Sequence, residues 1–224
     1  MSSILNTTAT MLHSSRLPPG ITRAQVIAML SDYEFFLSCD PLLSKFESIP
    51  HGPSAPFSVP ERVSSQLRSS KTPETASSEA VSSEHTDPTT TAATTSPSQT
   101  AEAEETTAIV PTCYRVTDVV HAIPAGIWDT NVVSTYEFVD VRDGVFVRIR
   151  SPLSVVMETF WEVRAVERSG EEGDGKEVPE LVEDVTIRCS RLLVGLVKKE
   201  CENGWKKIHA KMYKRLEDMK DGNV

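Results

Sequence analysis

Two carboxylates, Asp118 and Glu183, occupy strand positions whose alternation partners are mostly apolar. Residues i and i+2 of a strand share a face. On one parity Tyr114, Val116, Asp118 and Val120 run with Trp128, Thr130, Val132, Ser134, Tyr136 and Phe138. The opposite parity carries Arg115, Thr117, His121, Asp129, Asn131 and Glu137, and reads as the solvated face. The same test turns Val145, Val147 and Ile149 inward, then Met157, Thr159, Trp161 and Val163, then Leu181, Glu183, Val185, Ile187 and Cys189. A carboxylate in such surroundings must find a partner or have its pKa raised, which is one route to a general acid or base. With Tyr136, Ser134 and Thr130 on their face, Asp118 and Glu183 form a candidate proton-transfer group. The competing reading places both at open strand ends, in reach of water or arginine.

Other reactive pairings are weaker. His121 and Asp129 lie about equally far from Ala125 and could face each other across a hairpin, as a base and its orienting carboxylate would. No nucleophile accompanies them, and their face is the solvated one. His51 and His85 fall in a polar insertion, and His209 stands on the last helix without a second ligand at metal spacing, so no metal site and no cofactor is expected. Cys39, Cys113, Cys189 and Cys201 are far apart, with no C-x-x-C pair, and read as free thiols. Trp128, Trp161 and Trp205 could line a pocket for a flat or polycyclic molecule, or simply fill a core. The candidate ligand-contacting set is Trp128, Thr130, Val132, Ser134, Phe138, Val147, Met157, Trp161 and Val185 on the sheet, with Val197, Cys201 and Trp205 on the helix.

The elements that must position these groups are readable. Strand-like runs cover Cys113 to Ile123, Ile127 to Val139, Val145 to Arg150, Val155 to Val166 and Leu181 to Cys189, with turn signals at Pro124-Ala125-Gly126, Asp143-Gly144 and Ser151-Pro152. A Gly/Glu-rich loop fills Ser169 to Pro179. A long helix follows from Arg191 to Met219, with Leu193, Val197, Cys201, Trp205, Ile208, Met212, Leu216 and Met219 on one face. At 1.5 Å per residue it spans roughly 40 Å and must lie across a whole sheet. Gly195 inside it suggests close packing or a kink. Nearer the start, Ser3 to His13 reads as a strand, a helix capped by Thr22 runs to Asp40-Pro41, and Leu42 to Ile49 reads as another strand.

Between them, residues 51–108 turn to Ser, Thr, Pro, Ala and Glu, a composition too poor in large apolar side chains to offset ordering entropy. A disordered insertion is expected there, within a single domain made of residues 1–50 and 109–220, with 221–224 as a tail. The net charge of the 224 residues is -9, which offers nucleic acid no broad basic field, and the lysines of the last helix mostly fall off its apolar stripe. The longest apolar run, Leu192 to Val197, is too short to span a bilayer, and the first residues lack a secretory pattern, so a cytoplasmic protein is expected.

The order of elements resembles the helix-grip fold of the START-like and polyketide-cyclase superfamily. The stretches VTDVVHAIPAGIWDTNVVSTYEF, GVFVRIRSPLSVVMETFWEV and EDVTIRCSRLLVGLVKK resemble an uncharacterised fungal family of that superfamily. The resemblance implies an α+β fold, a curved antiparallel sheet around a long C-terminal helix, and an apolar cavity between them; it implies no catalytic residues. Three functions follow as expectations: binding of a lipid, sterol or polyketide-like molecule; a cyclase or isomerase of secondary metabolism using Asp118, Glu183 or Tyr136; or an interaction module acting through the insertion.

Overall fold

The computed structural model describes residues 6–51, 57–67, 109–121, 129–166 and 178–222. Strand β1 (Asn6–Arg16) leads into helices α1 (Arg23–Ser31) and α2 (Tyr33–Ser38), then β2 (Leu43–Ile49) and the short α3 (Glu61–Ser64). Strands β3 (Thr112–His121), β4 (Asp129–Val141), β5 (Gly144–Ser151), β6 (Val155–Val166) and β7 (Val178–Ser190) follow, and α4 (Arg191–Lys220) ends the series. The seven strands form one open antiparallel sheet in the order β1-β7-β6-β5-β4-β3-β2. With α4 laid against it, the arrangement is consistent with a helix-grip architecture. Among the described residues no helix is long and apolar enough to cross a membrane.

The inner face of the sheet carries the main core. Tyr114, Val116, Tyr136, Phe138, Val147, Ile149, Trp161 and Leu181 pack against Val26, Met29 and Leu30 of α1, Leu37 of α2, and Met212 and Leu216 of α4. Strand alternation thus assigned the faces of β3 to β7 correctly. The β4–β5 turn depends on a glycine, because a Cβ on Gly144 would overlap the Trp161 carbonyl oxygen. By contrast nothing lies within 4 Å of a Cβ on Gly195, and α4 runs unbroken through it, so the expected close contact or kink is replaced by open space.

The first helical segment is two helices rather than one. Thr22 caps α1 through a capping box with Gln25, as its position predicts. At Asp32 the backbone turns to φ -82 and ψ 82, and its carboxylate accepts from the Phe35 amide at 3.1 Å, so one residue ends α1 and caps α2.

Part of the segment expected to be disordered is packed. Residues 57–67 form a strap on the outer face, where Phe57, Val59, Val63 and Leu67 meet Val139, Val141, Phe146 and Phe160. Arg62 lies 4.2 Å above the Phe160 ring and pairs with Glu162 and Asp184, both at 2.7 Å. The Arg142 amide donates to the Gln66 carbonyl at 2.6 Å. A few apolar side chains at the right spacing anchor a stretch whose average composition is polar. The rest of the insertion, 52–56 and 68–108, lies outside the described residues, as do the turn at 122–128 with Trp128, and the loop from 167 to 177. Val63 is 1% exposed, so Val63→Ala should cost roughly 1–3 kcal/mol in urea denaturation; an unchanged midpoint would show a strap that does not contribute to folding.

Candidate functional site

Beneath α2 and α4 the inner face leaves a cavity of about 70 Å³. Its walls are Tyr136 of β4, Val147 and Ile149 of β5, Met157, Thr159 and Trp161 of β6, Phe36 and Leu37 of α2, and Ile208 of α4. Two carboxylates also line it: Glu183 from β7 and Asp40 from the end of α2. Glu183 reaches it because β7 brings alternate residues inward beside Val185 and Leu181. Asp40 reaches it because Leu42 donates its amide to the Asp40 carboxylate at 2.8 Å, folding the chain back before β2.

Glu183 is held by His13, whose Nδ1 lies 2.8 Å from Oε2. That partner comes from β1, whose register sets His13 opposite Glu183. The His13 ring in turn stacks on Trp205 of α4, with centroids 5.0 Å apart. Two residues on, the Ser15 hydroxyl hydrogen-bonds His209 Nδ1 and the Tyr213 hydroxyl. The opposite nitrogen of His209, Nε2, is buried and has no hydrogen-bond partner among the described residues. Asp118 Oδ1 is in the same condition. The His209 ring sits 5.3 Å from that of Trp161, a wall of the cavity.

Desolvation dominates the electrostatics. Burial pushes the Asp118 carboxyl up to about 7, and the Asp40 charge adds to the shift. Asp40 is itself raised by burial, which the Leu42 amide and Lys211 partly oppose. Glu183 is raised by burial, opposed by the hydrogen bond and charge of His13. The Tyr136 hydroxyl is raised well above its usual value by burial and then by Asp118 and Asp40. His209 is lowered to about 4 by burial and by His13, so it is neutral at pH 7. Burial also pushes Cys39 and Cys201 up to about 12, leaving both as thiols rather than nucleophilic thiolates. The interior therefore holds one carboxyl, Asp118, raised to about 7, and two more, Asp40 and Glu183, raised by burial beside aromatic walls.

The structure brings together some of the residues singled out in the sequence and separates others. Tyr136, Glu183, Val147, Met157 and Trp161 line the cavity, and Asp118 is buried close enough for its charge to be felt at Tyr136. Phe138 is core, stacked on Tyr33 at 4.5 Å. Val185, Val197 and Cys201 join a neighbouring cluster under the first half of α4, where the Cys201 thiol reaches Met157 sulfur at 3.6 Å. Ser134 bonds the Ser151 hydroxyl at 2.8 Å, Thr130 is exposed, and Val132 is half-buried, so none of these three lines the cavity. Alternation fixes the side of a residue but not how far helices cover that side. Register does pair His121 with Asp129, though their side chains lie outside the described residues. Sequence reasoning missed His13, Ser15 and Asp40. The first two share the parity of Met11: His13 lay inside the expected strand but its face was not read, and Ser15 would have been reached had the strand been carried on to Arg16. Among the described residues no group of three or more His, Cys, Asp or Glu side chains is arranged to hold a metal ion.

A family profile described as "Domain of unknown function (DUF7053)" matches residues 6–218. The chain belongs to that family. A search among curated proteins finds no match. Among solved structures, the chain is similar to the crystal structure of TTHA0849 from Thermus thermophilus, at 12% identity and a TM-score of 0.45, over 94% of this chain and 97% of that one. The chemistry must therefore be argued from this site.

The carboxylate shifts give a pH dependence of stability. A folded-state pKa near 7 lies above the ordinary 3.8 for Asp118, so the folded state binds more protons, and stability falls as pH rises between those values. The raised Asp40 and Glu183 act in the same direction. Asp118→Asn should stabilise the protein at pH 8 by up to about 4 kcal/mol and change little at pH 4. Urea denaturation of both proteins at the two pH values checks this; an equal difference at both would contradict the shift.

Proposed function

We propose that this protein binds an amphipathic small molecule between the sheet and α4, in the manner expected of a START-like helix-grip protein. The observation that carries the proposal is a cavity with aromatic walls, Phe36, Tyr136 and Trp161, lined as well by two carboxylates, Asp40 and Glu183. Such a site takes an apolar body against the rings and a hydrogen-bond-donating or cationic end at the carboxylates. The unpartnered His209 Nε2 and Asp118 Oδ1 support it, since buried polar atoms are normally hydrogen-bonded.

Volume sets a condition on the ligand. About 70 Å³ holds a few water molecules, whereas sites for drug-sized molecules run to roughly 300–1,000 Å³. A sterol or polyketide-like chain therefore requires α4 to move away from the sheet. The helix is built for uneven motion: its buried residues His209, Met212 and Leu216 all lie in the second half, while Leu193, Val194, Val197 and Cys201 in the first half are only partly buried. No side-chain hydrogen bond caps its start at Ser190. In this proposal the second half of α4 is the anchor and the first half the gate.

A second reading, a cyclase or isomerase, is favoured by the Glu183–His13 hydrogen bond. A carboxylate bonded to an imidazole can take a proton from a bound substrate while the imidazole adjusts its charge. One experiment serves both: native mass spectrometry of the purified protein and its Glu183→Gln variant after incubation with fatty alcohols, sterols and polyketide-like phenols. Binding predicts a saturable complex that Glu183→Gln weakens about tenfold, the scale of one charge-assisted hydrogen bond. A compound released chemically changed only by the unmodified protein marks the proton-transfer reading. No complex with any class would overturn the proposal.

A further inference from the structure

A second open space lies on the opposite side of the sheet. A groove of about 500 Å³ runs along the outer face beside the strap, lined by Arg148, Arg150 and Arg188 and by Val156, Asn6 and Ser58 among others. We propose that this groove is a binding site for a phosphate monoester, with the phosphate held by Arg150 and Arg188 and the organic body lying along Val156 and the strap.

Register builds the site. Arg150 of β5 stands opposite Val156 of β6, which stands opposite Arg188 of β7. The two arginines thus flank one valine at the same level, two strand spacings or roughly 10 Å apart at the backbone. One row further, Arg148 Nε and Nη2 hold Glu158 Oε1 at 3.0 and 2.9 Å, and Nη2 also donates to the Ser58 carbonyl at 2.5 Å. Arg188 Nη1 holds the other oxygen of Glu158 at 2.9 Å.

Both oxygens of Glu158 are therefore engaged, and the remaining N–H groups of Arg188 have no other acceptor among the described residues. Arg150 uses Nε on Glu137 at 3.2 Å, and its terminal nitrogens have no partner among the described residues. Both side chains are about half-exposed, so a ligand can reach them, whereas Arg148 is buried and fixed by stacking over Phe57.

Charge selects the ligand. The lining holds three arginines, Arg148, Arg150 and Arg188, against the single carboxylate of Glu158, in a chain whose net charge is -9. Glu137, outside the lining, pairs with Arg150, so with it the local excess is one positive charge; this favours an anion, and guanidinium forks suit phosphate oxygens better than a lysine would. At the mouth, Leu153 and Ser154 both adopt left-handed backbone, φ 59 and 58, and Ser154 lines the groove. They are the two central residues of the β5–β6 hairpin turn, closed by the Val155 amide on the Pro152 carbonyl at 3.4 Å, and paired left-handed residues are what such a turn uses. The groove is also far larger than inorganic phosphate needs, which leaves room for an organic body.

Isothermal titration with phenyl phosphate tests the assignment, with benzoate as the monoanionic comparison. We expect saturable one-to-one binding, weakened about tenfold or more in Arg150→Gln and in Arg188→Gln, and benzoate weaker by a similar factor. Arg115→Gln, which alters an exposed outer-face arginine paired with Glu47 outside the groove, should bind as the unmodified protein does. Arg188→Lys keeps the charge but loses the fork, and should still weaken binding if the geometry matters. Absence of saturable binding at millimolar phenyl phosphate, or binding that survives both Arg→Gln changes in folded protein, would overturn the proposal. Neither outcome bears on the cavity at the inner face.

Discussion

The structure depends on covering one apolar sheet face with helices, α1 and α2 over part of it and α4 over the rest. The inner face of β1 and β7 presents Met11, Val185, Ile187 and Cys189, and α4 lies across them before reaching the main core with Met212 and Leu216. Apolar surface of this extent drives association without direction. What gives the seam its geometry is polar: His13 bonded to Glu183 and stacked on Trp205, and Ser15 bonded to His209 and Tyr213. These contacts fix the rotation of α4 about its axis, because each needs one particular helix residue above one particular residue of β1.

Burying carboxylates beneath the helices costs stability. Asp40, Asp118 and Glu183 are all raised by burial, and the Asp40 charge raises the other two further. The opposing influences are His13 at Glu183, and Lys211 with the Leu42 amide at Asp40. A core of simple packing would hold apolar side chains at these positions, since desolvating a carboxylate is costly. The opposite face shows the other solution, in which Arg148, Arg188 and Glu158 form a connected network that leaves the carboxylate satisfied.

Much of this was legible in the chain because it is local or periodic. Alternation gave the faces of β3 to β7, the Asp143-Gly144 turn fell where its signal stood, and the apolar stripe gave α4. Thr22 capped its helix as written. What escaped was long-range or short. The pairing of His13 with Glu183 joins residues far apart in sequence through the β1–β7 register, which no local pattern encodes. The break at Asp32 is a side chain competing with the helix backbone. The strap at 57–67 hid inside a polar average, although Phe57, Val63 and Leu67 anchor it. Asp40 was read as a helix end, which it is, while its carboxylate also enters the cavity.

The central claim is that α4 is an anchored gate over the interior cavity, and native-state hydrogen exchange along that helix tests it most directly. The account predicts that amides of residues 195–201 exchange through a local opening of lower free energy, while those of residues 208–216 exchange only with global unfolding. Uniform protection along the whole helix, at the level of global unfolding, would contradict it and leave the cavity closed at its present size.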